Sequence, residues 1–237
     1  MIYKAPPGTT IALAAATGLT GSQVRTLFQQ YYGSRNDNTK PRLRLILRRD
    51  IPLLPGEEKV IVPDWSDADA MENAVKNCSD IICAVGTTMA AAGSEQAFLA
   101  SDHDAVINLA QAARHSGCRG FHYVSSLGAA NGNSFYLRTK RKVEQSLMKM
   151  GFESLTLLRP SLLKGGRTQF RPGEKMALAF AALLQPLLIG PLRRYRAIPA
   201  HHVALVLLMA ALQPGIARPV LVMESEEIMA MAQKSME

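Results

Sequence analysis

Tyr136 and Lys140 stand four residues apart in Phe135-Tyr136-Leu137-Arg138-Thr139-Lys140, shortly after an apolar run that ends in Ser125-Ser126. Residues at that spacing share a helix face, so the ammonium can approach the phenol and favour its phenolate at low dielectric. A phenol that ordinarily titrates at about pH 10 then becomes a usable proton donor. The same spacing also arises by accident on amphipathic helices, so the surrounding residues must decide between the two readings. A second group with chemical potential is Ala15-Ala16-Thr17-Gly18-Leu19-Thr20-Gly21. Glycines at such a turn let the backbone approach a pyrophosphate, whose charge a helix N-terminus holds. An ordinary strand-to-helix turn is the alternative.

The elements that must position these residues are legible as alternating strands and helices. Apolar runs predict strands at 10–14, 43–48, 59–62, 80–85, 121–125 and 155–158. Helix-compatible spacing falls at 24–32 and 67–77, and again on the stretch that carries Tyr136 and closes at Gly151. Ser101, with Asp104 three residues on, resembles a capping signal before an apolar stripe from Val106 to Ala113. Repeated strand-helix units with near-continuous apolar strands predict an α/β fold built on a doubly wound parallel sheet. Beyond Pro160 come a basic loop, an interrupted apolar segment at 176–192, a second apolar helix at 201–212 and a short edge strand at 220–223. The expectation is a single domain over 1–237, with 161–237 contributing a small C-terminal substrate-side cap.

Composition fits that class: 48% of residues are hydrophobic and 19% charged, which excludes a disordered or fibrous chain. Cys78, Cys83 and Cys118 have no metal-ligand spacing and read as small buried hydrophobes in a reducing compartment. Residues 1–8 show no continuous apolar stretch, so neither a signal peptide nor a membrane anchor is indicated and the expected location is cytoplasmic. His201-His202 invites a metal reading, but adjacent helical side chains point in different directions, and no metal is expected. A net charge of +8 attracts anions generally. The basic residues fall in separate groups with no nucleic-acid motif, so a polyanionic cofactor explains the charge better than nucleic acid. The segment 176–192 is too short and broken to span a bilayer; it could pack within the monomer or form a homodimer face.

The end of the second strand separates two dinucleotides, because an acidic residue there binds ribose hydroxyls whereas arginine accommodates a 2′-phosphate. Here the strand ends in Arg48-Arg49, with no carboxylate before Asp50, so NADP(H) is expected over NAD. A solvated basic strand end is the bland alternative. Asp64, followed by Trp65 after the third strand, could accept from an adenine amino group, or could simply be a turn aspartate.

The glycine turn, Val124-Ser125-Ser126-Leu127-Gly128-Ala129, the Tyr136–Lys140 segment and Arg159-Pro160-Ser161-Leu162-Leu163 together resemble the short-chain dehydrogenase/reductase superfamily. Gly86-Thr87-Thr88 with Gly93-Ser94-Glu95, and Arg171-Pro172-Gly173-Glu174, narrow the resemblance to its atypical, HIV Tat-interacting oxidoreductase-like branch. The resemblance implies a Rossmann fold binding NADP(H), with Ser126, Tyr136 and Lys140 as the catalytic triad and Ser125 the less favoured serine. In that scheme Ser126 binds the substrate carbonyl, Tyr136 delivers the proton and Lys140 both assists Tyr136 and holds the nicotinamide ribose. Thr17, Gly18, Leu19, Thr20, Gly21, Arg48, Arg49, Asp64, Trp65, Val85, Gly86, Thr87, Ser125, Tyr136, Lys140, Pro160, Ser161 and Leu162 would contact the cofactor. One departure stands out: Ala15 occupies the first glycine position of the turn, which should tighten it rather than forbid it. The expected activity is hydride transfer to or from a small-molecule carbonyl or alcohol, with an anionic group of the substrate near Arg167 or Arg171. The competing functions are a dinucleotide-binding regulator without turnover and a nucleotide-sugar epimerase.

Overall fold

The computed structural model describes residues 6, 8–33, 40–165, 190–213 and 219–236. Its strands are β1 (Thr10–Ala14), β2 (Arg42–Leu47), β3 (Glu57–Ile61), β4 (Asp80–Cys83), β5 (Gly120–Val124) and β6 (Ser154–Arg159), then the two-residue β7 (Leu163–Lys164) and β8 (Ile198–Pro199), and finally β9 (Val220–Glu224). Seven of them form one sheet in the order β3-β2-β1-β4-β5-β6-β9, and every pairing in it is parallel. Covered on both faces, β1 and β4 are buried along their whole length, which is why their sequences run apolar without alternation.

Helices α1 (Leu19–Tyr32), α2 (Ala68–Val75), α3 (Met89–Ala92), α4 (Glu95–Leu99), α5 (Ala105–His115), α6 (Phe135–Lys149), α7 (Ala200–Leu212) and α8 (Ser225–Met236) flank the sheet. Ile11 and Leu13 face one core with Val24, Phe28, Val203, Leu207 and Ile228; Ala12 and Ala14 face the other with Met71, Val106, Leu109, Val143 and Leu147. The strand order reverses between β1 and β4, and such a switch point opens a crevice at the carboxyl ends of the strands.

Three features differ from the sequence expectation. The helix expected after Ser101 begins earlier, at Ser94, whose side chain accepts from the Ala97 amide. It then runs through a π-helical turn, Ala100–Asp104, directly into α5. Ser101 therefore caps nothing; its hydroxyl donates to the Phe98 carbonyl and to Asp102. Secondly, the segment expected as a substrate-side cap divides. Buried α7 packs under the sheet beside α1, and β9 extends the sheet, while a 3-10 turn at Gly190–Tyr195 reaches the crevice. Beyond the exposed His201 and the buried His202, helix α7 is apolar and buried on every side, as an enclosed position requires. Thirdly, the residues after the edge strand, where the sequence suggested no element, form a helix, α8. Residues 176–189 of the expected apolar segment, and Arg167 and Arg171–Glu174, lie outside the described residues.

Candidate active site

Four loops that leave the carboxyl ends of β1, β4, β5 and β6 enclose a cavity of about 940 Å³. The β1 turn is held by the Gly18 amide, which donates to the Ala15 carbonyl at 3.0 Å. Ala15 itself adopts φ 64, a left-handed conformation that glycine would take without strain. Gly18 caps α1 with no side chain, and the first turn of α1 carries no acidic residue, so its N-terminal amides and dipole are left for an anion. A Cβ on Gly21 would stand 2.1 Å from the Ala15 carbonyl oxygen. Glycine there lets the helix start pack directly on the turn.

The β5 and β6 loops are tied together by Ser125 N donating to Leu158 O at 2.7 Å and Leu127 N to Pro160 O at 2.9 Å. Ser134 caps α6 by accepting from the Leu137 amide, which sets Tyr136 and Lys140 facing the cavity. Tyr136 packs its ring 5.5 Å from that of Phe98, and Lys140 Nζ lies 5.9 Å from the Tyr136 ring centre. Two of the ammonium's three donors have partners away from Tyr136: it donates to the Tyr123 hydroxyl at 2.9 Å and lies 3.1 Å from Asp102 Oδ1. Burial disfavours its charge, but the phenolic oxygens of Tyr123 and Tyr136 and the Asp102 carboxylate outweigh burial and hold the lysine pKa above its ordinary value. Tyr123, enclosed in β5, is pushed up by burial despite Lys140.

Thirteen of the residues expected at the site line this cavity: Gly18, Leu19, Thr20, Val85, Gly86, Thr87, Ser125, Ser126, Tyr136, Lys140, Pro160, Ser161 and Leu162. Ser126 Oγ contacts the Leu127 carbonyl at 3.4 Å, whereas Ser125 Oγ is buried with no partner. Thr17 is exposed on the turn and Gly21 sits behind it. Arg48 and Arg49 follow β2 outside the cavity wall, with the Arg48 guanidinium 5.3 Å from the Trp65 ring centre. Trp65 Nε1 is buried and unpartnered. The Asp64 carboxylate accepts from the Ser66 amide and hydroxyl, and the amide above all holds its pKa below the ordinary value. Both hydrogen bonds fall on Oδ1, as in an Asx turn.

The sequence reading missed Asp102 and Tyr123. Asp102 lies on the apolar face that runs Phe98, Asp102, Val106, all fully buried, and an acid in such a stripe is the signal that could have found it. Cys83 is near Lys140, but it is fully buried and burial pushes its thiol up to about 12, which disfavours the thiolate. His122 is a satisfied core residue between Thr156 and Asp80. Among the described residues no group of three His, Cys, Asp or Glu could hold a metal ion, and no helix is long and apolar enough to cross a membrane.

A family described as NAD(P)H-binding matches residues 16–178. The Emericella nidulans protein fmp52, mitochondrial, is 41% identical over 107 residues, 45% of this chain and 46% of that relative, so the match spans under half of that protein. The rat protein HTATIP2 is 31% identical over 170 residues, 69% of this chain and 67% of the relative. Among solved structures, MoeE5 in complex with UDP-glucuronic acid and NAD superposes with a TM-score of 0.66 at 16% identity, over 95% of this chain and 82% of that one. The mitochondrial name of the fungal relative overturns the cytoplasmic expectation. That expectation rested on the lack of an apolar N-terminal stretch, which bears on secretory signals and not on amphipathic transit segments.

Proposed function

Since the chain belongs to the NAD(P)H-binding family, we propose that it is an NADP(H)-dependent oxidoreductase acting on a small carbonyl or alcohol through Ser126, Tyr136 and Lys140. The observation that carries this reading is the convergence of the glycine turn, the Val85–Thr87 loop, both serines, Tyr136, Lys140 and Pro160–Leu162 on one cavity. The fit to a dinucleotide rests on this chain's own atoms. The uncapped start of α1 suits a pyrophosphate, and the orphaned Ser125 hydroxyl offers a hydrogen bond at the reacting end. Arg48, supported on the Trp65 ring, and Arg49 would hold a 2′-phosphate. A bound nicotinamide dinucleotide supplies the hydride. Ser126 orients the substrate oxygen, Tyr136 gives or takes its proton, and the Lys140 charge favours the phenolate form.

Titration with NADPH and NADH tests the cofactor assignment. NADPH should bind at least about tenfold tighter, and Arg48→Ala/Arg49→Ala should erase the difference, since a charge-assisted contact contributes about 1.5–3 kcal/mol. Equal affinities for the two cofactors in the unaltered protein would sink the 2′-phosphate assignment. Tyr136→Phe should keep NADPH binding and lose turnover on any carbonyl found by screening.

A second reading, a dinucleotide-binding regulator without turnover, is favoured by one observation: the Lys140 ammonium is held by Asp102 and Tyr123. It predicts that NADPH changes self-association while a broad carbonyl panel yields no oxidation of the cofactor. The likeness to MoeE5 is one of fold and favours no sugar-nucleotide substrate.

A further inference from the structure

Asp102 is a fully buried carboxylate that the triad scheme leaves without a task. Both of its oxygens lie 3.0 Å from the Thr87 amide, Oδ2 accepts from the Ser101 hydroxyl at 2.9 Å, and Oδ1 lies 3.1 Å from Lys140 Nζ. One side chain thus joins the loop after β4, which lines the cavity, to the lysine one turn beyond Tyr136. Asp102 is carried by the π-helical turn Ala100–Asp104. That turn adds a residue to the helical repeat without ending the helix, as such bulges commonly do at functional sites.

The charge balance of the site follows from this contact. A buried ammonium alone would favour the phenolate of Tyr136 strongly, because little solvent screens it. Paired with Asp102 it presents a dipole instead, whose field falls off faster with distance. The ionisable groups facing the pair are Cys83 from β4, Tyr123 from β5 and Tyr136 from α6; Phe98 from α4 covers the remaining side with an apolar ring. Asp102 is therefore the group whose charge opposes that of Lys140 there.

We propose that Asp102 is a positioning residue of the site, which fixes Lys140 to the Thr87 loop and screens its charge from Tyr136. The proposal rests on the triad reading above. Its test needs neither cofactor nor substrate, so a protein that failed to bind NADPH would overturn that reading alone. The near-isosteric Asp102→Asn keeps an acceptor for the Thr87 amide and removes the counter-charge. Tyrosinate absorbance near 295 nm would be followed against pH in the unaltered protein and in Asp102→Asn, each with and without Tyr136→Phe. The component that Tyr136→Phe removes should appear about one pH unit lower, or more, in Asp102→Asn, equivalent to tenfold in the ionisation constant. An unmoved component overturns the screening role. Should Asp102→Asn fail to fold, Asp102→Asn/Lys140→Met provides the second arm, because removing both charges leaves no unpaired ion. A double variant that folds supports the pairing, and one no better folded than Asp102→Asn overturns it.

Discussion

Replacing Ala15 by glycine should stabilise the protein, against the usual expectation for emptying a partly buried position. Ala15 sits at φ 64, where an L-residue's Cβ crowds the following carbonyl at a cost of roughly 1–2 kcal/mol. Glycine removes that cost but gives the unfolded chain more freedom, which offsets about 0.4–1 kcal/mol. Taking the middle of each range, the net gain is about 0.8 kcal/mol. On a chain of this length each kcal/mol moves the midpoint by about 2–4 °C, so thermal unfolding of Ala15→Gly should shift up by about 1–4 °C. Valine at the same position should do the opposite, losing about 2 kcal/mol or more, because a β-branched side chain is a marked outlier at positive φ. The pair matters more than either variant, since the sign change is specific to a left-handed backbone. NADPH affinity in Ala15→Gly should not weaken, because the Gly18 amide still has the Ala15 carbonyl to hold it. An unshifted or lowered midpoint for Ala15→Gly, together with a neutral Ala15→Val, would refute the left-handed turn and its strain.

Gly21→Ala should cost about 3 kcal/mol in urea unfolding, because its Cβ would meet the backbone oxygen of Ala15 at 2.1 Å and neither partner is a flexible side chain. Glu144→Gln should cost about 3 kcal/mol in the same assay, since Glu144 is buried and takes two hydrogen bonds from Arg159, at 3.0 and 2.6 Å. Asp80 sets an acid limb. Burial opposes its charge, but hydrogen bonding and charge from His122, with the charge of Arg119, prevail and hold its pKa below 3.8. A carboxylate depressed in the folded state contributes stability that is present above the unfolded pKa and lost as pH falls through the folded one. Stability measured below pH 3.8 should therefore fall less steeply in Asp80→Asn than in the unaltered protein.

The central strands β1 and β4 were legible because a parallel sheet buried on both faces demands nearly unbroken apolar runs. Predicted and observed strands agree to within about two residues, within the usual scatter of element ends. The Ser101 signal misled because capping chemistry is local and the competing cap at Ser94, with Glu95 in the first turn, fits equally well. Which cap wins depends on burying Phe98 beneath α6, a tertiary contact that residue spacing does not encode. Asp102 stayed hidden for a related reason. The expected helix starts at Ser101 and its stripe reads from Val106 onward, so the buried face Phe98, Asp102, Val106 falls across that boundary. Arg48 and Arg49 were readable as a basic strand end, whereas the Trp65 ring beneath Arg48 comes from a different strand end.

The rotation of the helix that bears Tyr136 is set chiefly by charge. Of its buried residues Thr139, Lys140, Val143, Glu144 and Leu147, only Val143 and Leu147 are apolar, together contributing about 3–6 kcal/mol. Lys140 and Glu144, one turn apart, are neutralised by Asp102 from the π-helical turn and by Arg159 from the end of β6. Such pairs add little net stability over apolar packing, but they penalise misplacement severely. A slip of α6 by one residue would strand two buried charges, at about 3–5 kcal/mol for each broken pair. Apolar contacts alone would tolerate that slip far better. The Ser134 cap fixes where the helix starts, and the two ion pairs fix how it is rotated. Tyr136 is thereby aimed at the cavity by the helix's own cap and by residues that lie on two other elements.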